Sequence, residues 1–437
     1  MHFGTRVRNT AFWTLDYLKG GKIKTNLKDI EHSLNNLSFE ALKAKNKKVL
    51  NVLLDTAVTR SIFYSKYKGY KNLRDFPVLN KGDIKAQFNS ITLQELNKED
   101  LNKVSTSGST GTPFSIYQSK LKQIRNTADT LYFAKDSGFT LGEKLLYLRL
   151  WSKYYRKNRI IAYLQNIEQI HIEDLDDAGI KRLLNKLERT KVPMGWLGYA
   201  SGFEKICKYL EKNNAAKIDC KINSAIAMSE AITDVVKQKM DFYFNCSTVS
   251  RYSNVENGII AQQTKNSNNF KINWASYIVE VLEMHSDNPA KKGELGRIVI
   301  TDLYNLSTPM IRYDTGDVGV LGECNTNNDF PVLKTIHGRI SDMLIDTSGN
   351  VISPFVVHTT LYEYSELEQF QIIQNGKKDY ILKINCINNK FTKEAHFLKF
   401  FKNVLGEDAN LKIEYVKEIP VLKSGKRKIV VNNFNKV

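Results

Sequence analysis

From about residue 100 the chain alternates short apolar runs with helix-patterned stretches, and no other feature constrains its fold so tightly. Residues 145–151, 221–228 and 296–303 read as strands, while 181–187 and 202–210 carry apolar side chains at helical spacing. Elements interleaved in that way predict an α/β body. Residues 1–75 precede it as a helical lead-in, with apolar positions recurring around Ile30 and Leu34 and again from 42 to 62. Phe76-Pro77-Val78-Leu79 followed by Asn80-Lys81-Gly82-Asp83-Ile84 predicts a loop that caps a new helix.

Near residue 340 the rhythm changes. Asp346-Thr347-Ser348-Gly349-Asn350 reads as a turn, 369–374, 380–386 and 411–416 as strands, and 393–405 as an amphipathic helix. The expectation is a large N-terminal domain of mixed sheets and helices over 1–341 and a small α+β domain over 342–437. A length of 437 residues fits two or three units, since domains run to roughly 100–200 residues.

Net charge is +18, dense in residues 1–28, where Arg6, Arg8, Lys19, Lys22, Lys24 and Lys28 face Asp16 alone. Such a surface suits lysine-rich solvated faces, an anionic membrane face or polyanionic substrates. No zinc-finger, KH or RNP signature accompanies it, so nucleic-acid binding is disfavoured. The five cysteines are scattered without a C-x-x-C pair, which speaks against structural zinc and fits a reducing compartment. Seven histidines show no metal spacing. Asp16 breaks the first apolar stretch too early for a signal peptide. No run approaches the roughly 20 apolar residues of a membrane span, and the expected location is cytoplasmic.

Ser105-Thr106-Ser107-Gly108-Ser109-Thr110-Gly111-Thr112-Pro113 is the most informative stretch. Its glycines free the backbone to turn, and its hydroxyls and N–H groups can converge on an anion as a nest. A P-loop would place Lys-Ser/Thr after the second glycine; Thr-Pro stands there instead, which disfavours a Walker-type ATPase.

This stretch resembles the phosphate loop of the adenylate-forming superfamily, which includes acyl-CoA synthetases and peptide-synthetase adenylation domains. Four further segments follow in that family's order. Tyr252-Ser253-Asn254-Val255-Glu256 is similar to its Tyr-Gly-x-Thr/Ser-Glu motif, and Tyr313-Asp314-Thr315-Gly316-Asp317 to its Tyr-x-Thr-Gly-Asp motif. Gly338-Arg339-Ile340-Ser341-Asp342 resembles its hinge, and Lys423-Ser424-Gly425-Lys426 its terminal Ser-Gly-Lys. The segments Phe76-Pro77-Val78-Leu79-Asn80-Lys81, Pro309-Met310-Ile311-Arg312-Tyr313 and Gln369-Phe370-Gln371 resemble the phenylacetate–CoA ligase branch. Phe12-Trp13, Asp16 and Lys19-Gly20 resemble CapK-like proteins of capsular polysaccharide gene clusters.

The resemblance implies an ATP-dependent ligase that makes an acyl-adenylate and pyrophosphate, then passes the acyl group to coenzyme A, a carrier-protein thiol or a sugar. Ser105, Thr106, Ser107, Gly108, Ser109, Thr110, Gly111 and Thr112 would hold the phosphates, and Glu256 would coordinate Mg²⁺, a hard cation suited to carboxylate oxygen. Tyr252 would stack on adenine, Asp317 would accept from the ribose hydroxyls, and Arg339 would reach ribose or phosphate. Asp342 would be the hinge of a mobile C-terminal lid that carries Lys426 to the reacting phosphate. Ser253 and Val255 depart from the motif, and Val255 has no hydroxyl to offer. Trp196, Tyr199, Ser229 and Glu230 either line the acyl pocket or pack the core. A dimer is a family-level expectation. The rival from another class is a non-catalytic nucleotide-binding scaffold in a polysaccharide assembly complex.

Overall fold

The computed structural model describes residues 2–94, 96, 101–105, 114–151, 156–322, 330–339, 343–352, 357, 364, 366–386, 391–420 and 428–434. They form two compact units, one running to residue 335 and the other comprising 336–437 together with 316–319.

The lead-in is helical, as its periodicity predicts: Phe3–Leu18, Lys22–Asn35 and Phe39–Arg60. Asp16 is buried and its carboxylate accepts from Ile23 N at 3.0 Å and Lys24 N at 2.9 Å. It thereby satisfies orphan donors in the first turn of the second helix. Gly20 and Gly21, at φ 91° and 64°, make the turn between the two helices. The Asp16…Gly20 segment is thus a helix-pairing device. Ser38 caps the third helix by accepting from Ala41 N, and Asn80 with Asp83 forms a capping box on Lys81–Ala86.

An antiparallel hairpin of β1 (Asn102–Ser105) and β2 (Ser115–Gln118) follows. The main sheet contains β3 (Lys144–Arg149), β4 (Ile167–His171), β5 (Met194–Tyr199), β6 (Ile222–Met228), β7 (Thr248–Asn254), β8 (Gly258–Thr264), β9 (Ser267–Ile272), β10 (Tyr277–Leu282), β11 (Leu295–Asp302), β12 (Tyr313–Leu321) and β13 (Val332–Arg339). Their spatial order is β10-β11-β12-β13-β9-β8-β7-β6-β5-β3-β4. Strands β4, β3, β5, β6 and β7 run parallel, and β8 and β9 continue antiparallel. Helices Asp177–Arg189, Ala200–Lys212 and Asp234–Phe244 connect the parallel strands, as the α/β alternation requires.

The second unit holds β14 (Leu344–Ile345), β15 (Val351–Ile352), β16 (Leu367–Gln374), β17 (Asp379–Cys386), β18 (Asn410–Tyr415) and β19 (Val430–Asn432). Its four-stranded sheet has the order β18-β17-β16-β19. The helix Glu394–Leu405 buries Phe397, Phe401 and Leu405 in a core shared with Phe370, Leu382 and Ile384. Cys207 and Cys246 are buried thiols whose pKa burial pushes up to about 12, so both behave as inert core side chains. Among the described residues no helix is long and apolar enough to cross a membrane.

Candidate active site

The hydroxyl-rich loop joins the two strands of the hairpin. Ser105 pairs in register with Ser115, and their hydroxyls hydrogen-bond at 2.6 Å, closing the base of the turn. Thr106, Ser107, Gly108, Ser109, Thr110, Gly111 and Thr112 lie outside the described residues, as do Asp342 and Lys426.

What flanks the loop meets two other motifs. Phe114, directly after it, is buried and stacks on Tyr313 with 6.3 Å between ring centroids and 11° between planes. The Lys81 ammonium lies 4.9 Å from the Phe114 ring centroid. Tyr313 donates its hydroxyl to Glu256 Oε1 at 2.9 Å. Gln118, which ends the hairpin, donates to the carbonyl of Glu256 at 2.9 Å. Segments around 114, 256 and 313, spread over some 200 residues of sequence, therefore meet at Glu256, its carboxylate held by Tyr313, its carbonyl by Gln118, and Tyr313 by Phe114.

Each contact has a local cause. Arg312 adopts φ 47°, a conformation that non-glycine residues seldom take. It is held there by two 3.1 Å bonds to Glu280 and one of 3.1 Å to the carbonyl of Phe76. Leu79 bridges Tyr313, donating to Arg312 O at 3.0 Å and accepting from Asp314 N at 2.9 Å. The Phe76…Lys81 and Pro309…Tyr313 segments are thus two halves of one clamp that aims Tyr313. Arg297 donates to Asp314 Oδ2 at 2.7 Å.

Beneath Glu256 lies a buried polar pedestal. Lys122 Nζ sits 2.7 Å from Asp302 Oδ2 with both side chains wholly buried, and it donates to the Tyr277 hydroxyl at 3.0 Å. Tyr277 in turn donates to the carbonyl of Asn257. Arg125 donates to Ser276 Oγ at 2.9 Å and Ala275 O at 2.6 Å, and Ser276 donates to Asp129 at 2.8 Å. Burial raises the Asp129 pKa against the opposing charges of Arg125 and Lys122.

Tyr252 ends near β12, where its hydroxyl donates to Thr315 Oγ1 at 3.2 Å while Thr315 donates to Ile298 O at 2.9 Å. Asp317 follows on β12 after Gly316, whose φ is 76°. Arg339 is the exposed last residue of β13. Val255, which lacks the motif hydroxyl, points to solvent at 45% exposure. Glu256 is 5% exposed, and among the described residues its Oε2 carries no hydrogen bond. One fixed carboxylate with an oxygen to spare fits Mg²⁺, which is bound through one or two carboxylates plus phosphate oxygens.

The proposed acyl-pocket residues divide by strand parity. Trp196 is fully buried, edge-on to Phe203 and Phe244 at 5.3 and 5.4 Å, so it belongs to the core on the helix-covered side. Tyr199, three positions on, faces the other way at the carboxyl end of β5. Burial, more than its neighbour Glu230, raises its pKa. Ser229 takes φ 71° just after β6, and Glu230 accepts from Ser201 N at 3.0 Å, capping the helix Ala200–Lys212. Two arginines not anticipated from the sequence stand beside them. Arg149 packs over Tyr147 and Trp151 at 5.7 and 5.4 Å, and Arg251 precedes Tyr252 on β7. Their position at the carboxyl edge of a parallel sheet, where such folds bind ligands, was the available signal.

The CapK C-terminal domain family matches residues 344–433. Over 381 residues the chain is 24% identical to protein CapK of Staphylococcus aureus, covering 83% of this chain and 81% of that protein. A 2-hydroxyisobutyryl-CoA ligase in its postadenylation state with an acyl-adenylate bound superposes with a TM-score of 0.70 at 17% identity, over 92% of this chain and 91% of that one. ATP-bound MatB from Rhodopseudomonas palustris gives 0.56 at 14% identity, over 77% and 68%. The chain is thus similar to CapK over most of its length, matches the CapK C-terminal domain family over residues 344–433, and has the fold of 2-hydroxyisobutyryl-CoA ligase.

Proposed function

We propose that this chain activates a carboxylic acid as its acyl-adenylate, releasing pyrophosphate, and then passes the acyl group to an acceptor. The observation that carries this reading is the convergence of Gln118 and Tyr313 on Glu256, with Phe114 stacked behind Tyr313. A surface glutamate needs no such scaffold.

A carboxylate attacking the α-phosphate of ATP meets negative charge, so the site must neutralise charge and align the two groups. Ser105 and the loop through Thr112 would hold the phosphates, and Glu256 would hold Mg²⁺, a hard cation that would supply positive charge against them. Tyr252 lies against adenine, with its hydroxyl fixed by Thr315. Asp317 accepts from the ribose hydroxyls, a charge-assisted bond, and Arg339 reaches ribose or phosphate. Residues 1–341 act as the AMP-binding domain, and Asp342 is the hinge about which the 342–437 lid delivers Lys426. The ammonium of Lys426 would stabilise charge that develops only in the transition state. Coenzyme A is the acceptor favoured by the phenylacetate–CoA ligase-like segments, in the setting of surface polysaccharide synthesis.

Exchange of labelled pyrophosphate into ATP, screened over fatty, aryl, amino, uronic and dicarboxylic acids, tests the first half-reaction. Acid-dependent exchange is expected. ATP binding with no exchange for any acid would favour the non-catalytic scaffold instead.

Peripheral attachment to an anionic membrane belongs to the same reading. The helix Phe3–Leu18 exposes Phe3, Val7, Leu15 and Leu18 at 79%, 50%, 57% and 73%, among Arg6, Lys19 and Lys22. Exposed apolar side chains with basic neighbours are the pattern of an interfacial helix. Sedimentation with anionic but not neutral vesicles is expected, and equal recovery from both would remove the idea.

A further inference from the structure

The buried cations of the first unit follow a rule, with one exception. Lys122 pairs with Asp302, Arg125 with Asp29, and Arg312 with Glu280. Arg251 is 8% exposed and forms no ion pair among the described residues. Its Nε donates to Gln262 Oε1 at 2.7 Å, and its Nη2 is buried without any hydrogen-bond partner. Burial pulls its pKa down to about 10, with Tyr147 as the neighbour that acts against the shift. A buried guanidinium without a counter-charge is destabilising, so packing gives no reason for it.

Its place in the sheet supplies one. Tyr199, Met228 and Arg251 are successive register partners at the carboxyl ends of β5, β6 and β7. Residues paired across a sheet share a face. Arg149 ends β3, the next strand, and hydrogen-bonds Tyr199. Two guanidinium groups and the tyrosines 147 and 199 thus gather at the edge where a doubly wound sheet receives its ligand. That lining sets two guanidinium groups against the single carboxylate of Glu230 and is rich in donors. It does not suit the tail of a fatty or simple aryl acid.

Resting on acid activation as the function, we propose that the acid is a dicarboxylic one, whose second carboxylate is bound by Arg251 and Arg149. The planar fork of a guanidinium matches a carboxylate in a bidentate pair. The other carboxylate remains for reaction with ATP. Among the described residues no carboxylate pairs with Arg251, and the bound acid completes the pair.

The test compares pyrophosphate exchange with succinate against butanoate and glutarate against pentanoate, in the full chain and in Arg251→Met and Arg149→Lys. Wild type is expected to favour the diacids by at least about tenfold, because a site built around buried polar groups rejects a ligand that leaves them unpaired. Arg251→Met should narrow that preference mainly through KM, with no loss of melting temperature. Arg149→Lys, at a half-buried position that tolerates the change, should weaken diacid binding in calorimetry. Exchange as fast with the monoacids, or an unchanged preference together with a lower melting temperature in Arg251→Met, would overturn the proposal. Calorimetric binding of the diacids needs no turnover. Diacid binding without exchange would defeat acid activation but support this site, and exchange with apolar acids alone would do the reverse.

Discussion

Tyr313 donates its phenolic proton to Glu256 Oε1 at 2.9 Å, and both side chains are buried. With that oxygen occupied, Oε2 is the one left for the Mg²⁺ proposed to bind Glu256, and the ring stacked on Phe114 prevents the donor from swinging away. Tyr313→Phe keeps the stack and removes the donor. A hydrogen bond to a charged group contributes roughly 1.5–3 kcal/mol, so urea denaturation should show a loss of that order. Pyrophosphate exchange should fall about tenfold, as for a misplaced reactive group, with a higher Mg²⁺ requirement. An unchanged Mg²⁺ titration would separate Glu256 from the metal.

The elements that the sequence named could be read locally to within a few residues because their causes are local. Short apolar runs gave β3, β6 and β11, and a period near 3.6 gave the helix Glu394–Leu405. The strand order β10-β11-β12-β13-β9-β8-β7 could not be read, because it depends on pairings between distant segments. The same holds for Tyr313 and Glu256: the motifs named both residues, but only the folded sheet joins them. Trp196 and Tyr199 show a signal that was present and unused. An odd spacing on one strand puts them on opposite faces, so they could not both line the same pocket. Lys122 looked like one more lysine in a basic chain, and only its burial against Asp302 distinguishes it.

Lys426→Ala tests the proposed lid. If this ammonium contributes only in the transition state, its removal lowers the rate and leaves ground-state binding intact. Exchange should drop by a factor on the order of a hundred or more, comparable to losing one preorganised electrostatic donor. The ATP dissociation constant, measured by calorimetry, should stay within about twofold. Wild-type exchange rates in the variant would take Lys426 out of the reaction.

Asp29 sets part of the acid limit of stability. Burial pushes its pKa up, but the hydrogen bonds and charges of Lys45 and Arg125 outweigh that and leave it below the ordinary value. The folded carboxyl therefore holds fewer protons than the unfolded one in the range just below an aspartate's usual pKa of about 3.9. Its stabilisation is fully present above that value and is lost as pH falls through the folded pKa. Urea midpoints for wild type and Asp29→Asn should differ most near neutrality and converge as pH falls through the lowered folded pKa of Asp29. A constant offset across the range would mean that the pair contributes by packing alone.

Among the described residues Lys122 and Asp302 form the most deeply buried ion pair, with no exposed surface on either side chain. Removing one member strands the other charge in the interior, a loss of about 3–5 kcal/mol. Lys122→Met should therefore destabilise strongly in urea, and Lys122→Met with Asp302→Leu should recover much of the difference. Activity should not recover in step. Lys122 fixes the Tyr277 hydroxyl, and Tyr277 holds the carbonyl of Asn257, the residue after Glu256. An apolar pair can replace the buried charges without restoring that chain of donors, so the double variant is expected to fold well and exchange pyrophosphate slowly. If stability and exchange returned together, the pedestal would be a packing element with no part in aiming Glu256.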